Sequence, residues 1–126
     1  MSEIINNNAI LVVDDSASIR DMVKMTLSSA GYESHSSADG VEALEYAEKN
    51  AVLAVVTDVN MPRMDGIVLI AELRKLEHYR HTPILVLTTE KGNGKKLCGK
   101  SAGATGWIVK PFHPESLLKT IRRVVF

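Results

Sequence analysis

Four short apolar runs recur along the chain, each followed by polar residues, and three of them lead into a segment whose apolar residues have helical spacing. The run at 53–56 has branched residues without alternation, which is typical of a strand buried on both faces of a parallel sheet. It leads to Asp58, and Pro62 then prevents its continuation because proline lacks a backbone N–H. The other runs predict strands at 9–13, 84–87 and 107–109, and a shorter, more polar strand is predicted at 33–36.

Helix start signals occupy the segments between these strands. Ser16 or Ser18 can cap the first helix, and Asp39 with Glu42 forms a capping-box pattern at the start of the second. Asp65 offers a cap for the third helix, and Pro114, with His113 as the cap before it, suits the first turn of the last helix. The second helix is expected to bury Val41, Leu44 and Ala47. Strands that alternate with helices predict one doubly wound α/β domain, a (βα)5 flavodoxin-like fold with the parallel sheet order 2-1-3-4-5.

Composition narrows the class of protein. The chain has 126 residues, of which 45% are hydrophobic and 24% charged, as in a single globular domain. A formal net charge of zero gives no sign of the basic surface that binds nucleic acid or an anionic membrane. The single cysteine, Cys98, excludes an internal disulfide. Residues 1–8 are expected to be a flexible N-terminus and 9–126 the domain. No signal peptide or spanning segment is recognisable, so a cytoplasmic protein is expected.

Chemically active side chains follow four of the five predicted strands. Asp14 and Asp15 end the first strand, Asp58 the third, Thr88 the fourth and Lys110 the fifth. These strand ends meet at one edge of a parallel sheet, where ligands bind. Three carboxylates repel one another unless a cation lies among them, and hard oxygen ligands suit magnesium. With a lysine and a hydroxyl to hold phosphate oxygens, the cluster predicts a phosphoryl-transfer site with a carboxylate nucleophile.

The sequence around these positions resembles the receiver domain of bacterial two-component response regulators over nearly its whole length. The motifs that carry the resemblance are 12–15 (VVDD), 57–66 (TDVNMPRMDG), 87–88 (LT) and 102–112 (AGATGWIVKPF). The resemblance implies the flavodoxin-like strand order as well, so these two predictions are not independent. It also implies that a histidine kinase phosphorylates Asp58.

The resemblance further implies a set of metal ligands. Asp15, Asp58 and the backbone carbonyl of Asn60 would bind magnesium, and Asp14 would orient a metal-bound water. Asn60 would also influence dephosphorylation, together with Thr89 and Glu90. Thr89 differs from the alanine or glycine that the family commonly carries beside its switch threonine.

Four further residues receive roles from the same resemblance. Thr88 and Lys110 would hold the phosphoryl group, and the bond between Lys110 and Pro111 is expected to be cis. Trp107 stands where the family carries its switch aromatic, usually tyrosine or phenylalanine. The partner face would comprise the fourth helix, fifth strand and fifth helix. The segment 91–103 is a weak helix prediction because Gly92, Gly94 and Gly99 each cost about 1 kcal/mol relative to alanine inside a helix, so we expect its start to be the mobile element.

The chain ends at Phe126, soon after the fifth predicted helix, so we expect a stand-alone receiver that signals by protein contact. The chemotaxis type, acting on the flagellar motor switch, is the favoured function. Expected partners are a histidine kinase, a downstream protein and a phosphatase, without nucleic acid or membrane, and the protein is expected to be monomeric. The protein would be no enzyme beyond its own phosphoryl transfer and dephosphorylation.

Two other functions remain open at this point. One is a relay or phosphate-sink receiver that passes the phosphoryl group to a histidine phosphotransfer protein. The other is an aspartyl-phosphate phosphatase, although such an enzyme generally wants a second acid where this chain has Asn60. A flavodoxin-like cofactor carrier is disfavoured, because no glycine-rich phosphate loop follows the first strand.

Overall fold

A computed structural model of the chain describes residues 5–6, 9–59, 61, 63–88, 103–110 and 112–125. The strands of its main sheet are β1 (Ala9–Val13), β2 (Glu33–Ser37), β3 (Ala54–Asp58), β4 (Ile84–Thr88) and β5 (Gly106–Val109). This sheet is parallel and has the spatial order β2-β1-β3-β4-β5. This confirms the predicted flavodoxin-like fold and the predicted strand order.

Helices cover both faces of the sheet. They are α1 (Ala17–Ser29), α2 (Gly40–Lys49), α3 (Gly66–Lys75) and a C-terminal helix (Pro114–Val124), with a 3-10 turn at Glu77–Tyr79. The helix predicted at 91–103 lies outside the described residues, apart from Gly103. The predicted partner face is therefore described only at β5 and the C-terminal helix.

Side-chain caps start three of these helices, because a cap oxygen satisfies an N–H group that has no partner inside the helix. Ser16, Asp39 and Asp65 each accept a hydrogen bond from the backbone N–H three residues later. The Glu42 side chain accepts from the N–H of Ala38, which precedes the cap. In the usual capping box this side chain accepts from the N–H of the cap residue itself, here Asp39, so the predicted box is present with its second hydrogen bond shifted by one residue.

The hydrophobic core forms two layers, one on each face of the sheet. Strand β1 contributes alternately, since Leu11 and Val13 lie in one layer while Ile10 and Val12 lie in the other. The α2 and α3 layer includes Ala43, Ala47, Leu69, Ile70, Leu73 and Tyr79. The α1 and C-terminal helix layer includes Val23, Leu27, Leu117 and Ile121. The central strands β1, β3 and β4 are consequently apolar without alternation over most of their length, whereas the edge strand β2 is polar.

Two local sequence interpretations need correction. The spacing of Val41, Leu44 and Ala47 predicted the buried stripe of α2, but Ala43 and Ala47 are the fully buried residues and the other two are half-buried. Small residues are buried there because α2 packs close to the sheet and to α3. His113 occupies the cap position before Pro114, yet its side chain makes no capping hydrogen bond.

A two-residue strand lies in the segment 1–8 that was expected to be a flexible terminus. Ile5–Asn6 pairs in parallel with Asn50–Ala51, which directly follows α2. Within the described residues, no helix has the length and apolar character needed to cross a membrane.

Candidate functional site

Three carboxylates meet at the carboxyl edge of the sheet. Asp14 and Asp15 follow β1, and Asp58 ends β3, the neighbouring strand. One oxygen atom from each of the three lies within 4.8 Å of the others. Asp14 is fully buried, Asp58 is 8% exposed and Asp15 is exposed. The cluster therefore has two carboxylates inside the edge and one at its solvent side.

Lys110 joins the two buried carboxylates. Its Nζ atom lies 3.0 Å from Asp14 Oδ2 and 3.3 Å from Asp58 Oδ1. The backbone N–H of Lys110 donates to the Thr88 carbonyl at 2.8 Å, which extends the pairing of β4 and β5 by one residue. That extension carries the lysine side chain across the edge of the sheet to the acidic residues. Thr88 itself is buried at the end of β4, which separates β3 from β5.

The contacts between the Asp58 carboxylate and other described residues involve one of its two oxygens, Oδ1. Oδ1 accepts from the N–H of Val59 at 2.8 Å and is the oxygen nearest to Lys110. Burial raises the pKa of the Asp58 carboxyl and the charge of Asp14 raises it further, while Lys110 and Val59 act in the opposite direction. A cation bound beside Asp58 would oppose both of the effects that disfavour its ionised form.

The Lys110 ammonium group keeps its charge in this environment. Burial alone would lower its pKa, but the hydrogen bond to Asp14 and the charges of Asp58 and Asp14 outweigh burial and raise the pKa above its ordinary value. A lysine that stays protonated next to a carboxylate nucleophile can also bind a phosphoryl oxygen as a point charge.

Asp14 is held from several directions. Its Oδ1 accepts from the N–H of Ser16 at 2.9 Å, and its Oδ2 binds Lys110. The Arg20 Nη1 atom donates to its carbonyl at 2.6 Å, and its own N–H donates to the Ser37 carbonyl at 3.2 Å. Both carboxylate oxygens of Asp14 thus have partners already, whereas the exposed Asp15 faces solvent. The contact from Arg20 was not predicted, although its position one turn into α1 was a signal that could have suggested it.

Gly66 closes the loop that follows Asp58. Its N–H donates to the Val59 carbonyl at 2.8 Å, and a Cβ atom at this position would overlap the Asp58 carbonyl oxygen and lie 3.0 Å from the carbonyl carbon. Only glycine allows the first turn of α3 to approach the backbone of Asp58 so closely. The sequence pattern predicted Asp65 as the cap but not this role of Gly66.

The structure brings together Asp14, Asp15, Asp58 and Lys110, with Thr88 at the adjoining strand end. Trp107 lies in β5 opposite Val86 and is half-buried against the α2 and α3 core layer. The other residues with predicted roles lie outside the described residues, so their roles and the cis peptide bond stay predictions; they are Asn60, Thr89, Glu90 and Pro111.

The comparison with known proteins shows the family of this chain, whose parallel sheet carries the acidic cluster at its carboxyl edge. The chain belongs to the response regulator receiver domain family, whose model matches residues 10–122. It is 41% identical to the chemotaxis protein CheY1 of Helicobacter pylori over 118 residues, which cover 92% of this chain and 95% of that protein.

Solved structures give the same result. The chemotaxis response regulator CheY4 of Vibrio cholerae is 52% identical, with a TM-score of 0.90 over 94% of this chain and 98% of that one. The receiver domain of a sensor histidine kinase from Pseudomonas aeruginosa, with magnesium coordinated in its active site cleft, is 30% identical. Its TM-score is 0.87, and the match covers 94% of this chain and 97% of that one. The chain is a CheY-like receiver, and phosphorylation of an aspartate with magnesium is typical of this family.

Proposed function

We propose that this receiver accepts a phosphoryl group on Asp58 from a histidine kinase and then signals by protein contact in the control of the flagellar motor switch. The observation that carries the proposal is the position of Asp58, which is nearly buried beside Asp14 and lies 3.3 Å from Lys110 Nζ. The chemotaxis names of the relatives from Helicobacter and Vibrio support the pathway. A histidine kinase and a downstream protein are the partners that such a receiver requires.

The donor set fits magnesium, because clustered carboxylate oxygens are the ligands that this ion prefers. Asp15 and Asp58 would bind it directly, together with the carbonyl of Asn60. Asp14 would act through a metal-bound water, which agrees with the occupation of both its oxygens by Ser16 and Lys110. When bound, the ion would neutralise charge on the phosphoryl oxygens during transfer.

The side chains of this chain supply the rest of the chemistry. An oxygen of Asp58 forms the bond to phosphorus while the P–N bond of a phosphohistidine breaks and the imidazole nitrogen keeps the electron pair. Oδ2 suits this role, because the described contacts of the carboxylate engage Oδ1. Lys110 and the hydroxyl of Thr88 would hold the phosphoryl oxygens, and Lys110 Nζ would exchange part of its contact with Asp58 for one of them.

Incubation with acetyl phosphate and magnesium is expected to add one phosphoryl group to the wild-type chain and none to Asp58→Asn. The reason is that the amide lacks the nucleophilic oxygen. Intact mass measured with and without the metal checks this. Asp65→Asn is the matched control, since asparagine also caps α3 and the substitution lies in the same loop. Labelling of Asp58→Asn at another residue would contradict the proposal.

Magnesium is expected to bind in the absence of phosphate, and Asp15→Asn should weaken binding more than Asp14→Asn does. A direct ligand loses a bond to the metal, whereas an outer ligand loses an orienting hydrogen bond, an effect of about tenfold to a hundredfold. Calorimetric titration of the two variants, with Trp107 emission as a second signal, measures the difference. Equal losses would overturn the assignment of inner and outer ligands.

A further inference from the structure

An ion pair joins the loop after Asp58 to the start of α2, and the proposed function does not use it. Arg63 Nε and Nη2 lie 2.9 Å and 2.8 Å from Asp39 Oδ2. The other oxygen of Asp39 accepts from the N–H of Glu42 at 3.0 Å and so caps α2. The Asp39 side chain is only 9% exposed, although the Arg63 side chain is 55% exposed. One buried carboxylate therefore serves both the helix and the loop.

The backbone of Arg63 adopts a conformation that arginine rarely takes. Its φ angle is 65°, in the left-handed region that disfavours residues with a Cβ atom. Such a conformation persists when the surroundings hold it in place, and it is concentrated at functional sites. Here the contact of the guanidinium group with Asp39 supplies that restraint.

A second contact holds the same loop against α2. A Cβ atom at Gly40 would lie 2.7 Å from the Met64 carbonyl oxygen and 2.8 Å from Met64 Cβ, so the loop rests directly on the first turn of the helix. Arg63 therefore contacts Asp39, the cap of α2, and Met64 contacts Gly40, the first residue of that helix. These two contacts attach the chain segment between Asp58 and α3 to the start of α2.

The α2 end of this attachment is itself joined to the acidic cluster. The Ser37 carbonyl, two residues before Asp39, accepts from the N–H of Asp14. The contact from Arg63 to Asp39 consequently connects the loop after Asp58 with the segment that supports Asp14.

We propose that Arg63 is a positioning residue for magnesium: its pair with Asp39 fixes residues 63–66, and the hydrogen bond from Gly66 to Val59 then fixes the backbone beside Asp58 at the metal site. The inference rests on the proposed function, since it concerns the same site. Charge alone predicts the opposite effect of Arg63, because the positive charge of arginine repels a divalent cation. Magnesium affinity should therefore fall on removal of Arg63 if the residue positions the site, and rise if its charge alone matters.

The test compares magnesium affinity in Arg63→Asn, Asp39→Asn and the double variant. Asparagine tolerates the left-handed conformation at 63 and still caps α2 at 39, so both substitutions remove the ion pair. Arg63→Asn additionally removes a longer contact of Arg63 Nη2 with Glu42 Oε2 at 3.9 Å. We expect each single variant to bind magnesium about tenfold more weakly, in the range of supporting groups around a metal. The double variant should be no weaker than either single one, because both remove the same contact.

Two further measurements test whether a loss of magnesium affinity arises from a change in the backbone beside Asp58 or only from a change in surface charge. Hydrogen exchange of the Gly66 amide, which donates to Val59, should be faster in both single variants without any metal. Arg63→Lys should give an intermediate affinity, and Lys75→Asn, which removes an exposed cation at the far end of α3, should give none of these changes.

Unchanged or tighter magnesium binding by Arg63→Asn would overturn the positioning role, as would Gly66 exchange at the wild-type rate. Absence of magnesium binding by the wild-type chain would instead overturn the proposed function.

Discussion

Replacement of Arg74 by methionine is expected to lower the free energy of unfolding by about 3 kcal/mol, a large effect for one partly exposed side chain. Arg74 Nη1 donates to the carbonyls of Tyr79 and Thr82, each at 2.7 Å. Its Nε and Nη2 donate to the Gly103 carbonyl at 3.1 Å and 2.8 Å. The guanidinium thus joins the end of α3, the turn before β4 and the residues that lead into β5.

The effect comes from the carbonyls that lose their donor. Within the described residues, no carboxylate lies within ion-pair distance of Arg74, and burial lowers the pKa of its guanidinium. Methionine retains the apolar stem but leaves these oxygens without a donor, and an unsatisfied half-buried acceptor costs about 1–3 kcal/mol. Arg74→Lys should recover part of the loss, because an ammonium group can reach only some of the carbonyls.

Urea denaturation followed by circular dichroism measures this loss. Lys75→Met is the control, since Lys75 is the next residue and makes only an exposed pair with Glu72 at 2.8 Å. Exposed pairs of this kind contribute about 0.3–0.5 kcal/mol. A loss in Arg74→Met as small as that in Lys75→Met would show that water replaces the guanidinium without penalty.

Replacement of Gly66 by alanine is expected to slow phosphorylation of Asp58 about a hundredfold and to destabilise the domain by about 1–3 kcal/mol. The added Cβ atom would overlap the Asp58 carbonyl oxygen and lie 3.1 Å from Val59 Cα. All of these are backbone atoms, so the strand end itself has to move. Asp58 would then leave its position relative to Lys110.

Labelling by acetyl phosphate, measured by intact mass over time, gives the rate, and urea denaturation gives the stability. Gly106→Ala is the matched control, because its Cβ atom would lie 3.6 Å from Leu85 Cδ2, an ordinary contact. We expect Gly106→Ala to be labelled at the wild-type rate. Wild-type labelling of Gly66→Ala would show that the loop absorbs the methyl group without displacing Asp58.

The fold was predictable because its signals are local. Apolar runs without alternation correctly indicated strands covered on both faces. Asp39 and Asp65 cap the helices that they were predicted to cap, and of the two candidates for the first helix Ser16 is the cap. The proximity of Asp14, Asp58 and Lys110 was also predictable, since parallel strands end at one edge whatever packs around them. The sequence alone therefore determined which side chains could form a site.

Tertiary structure decided how that site is held. The pair of Arg63 with Asp39 and the contact of Arg74 with Gly103 join residues 24 and 29 positions apart, and no spacing rule links such positions. The sequence also did not determine which of the adjacent Asp14 and Asp15 would be buried, because that depends on how the residues after β1 turn away from the sheet. Strand ends follow from chain direction, whereas contacts between loops depend on the packed positions of several elements at once.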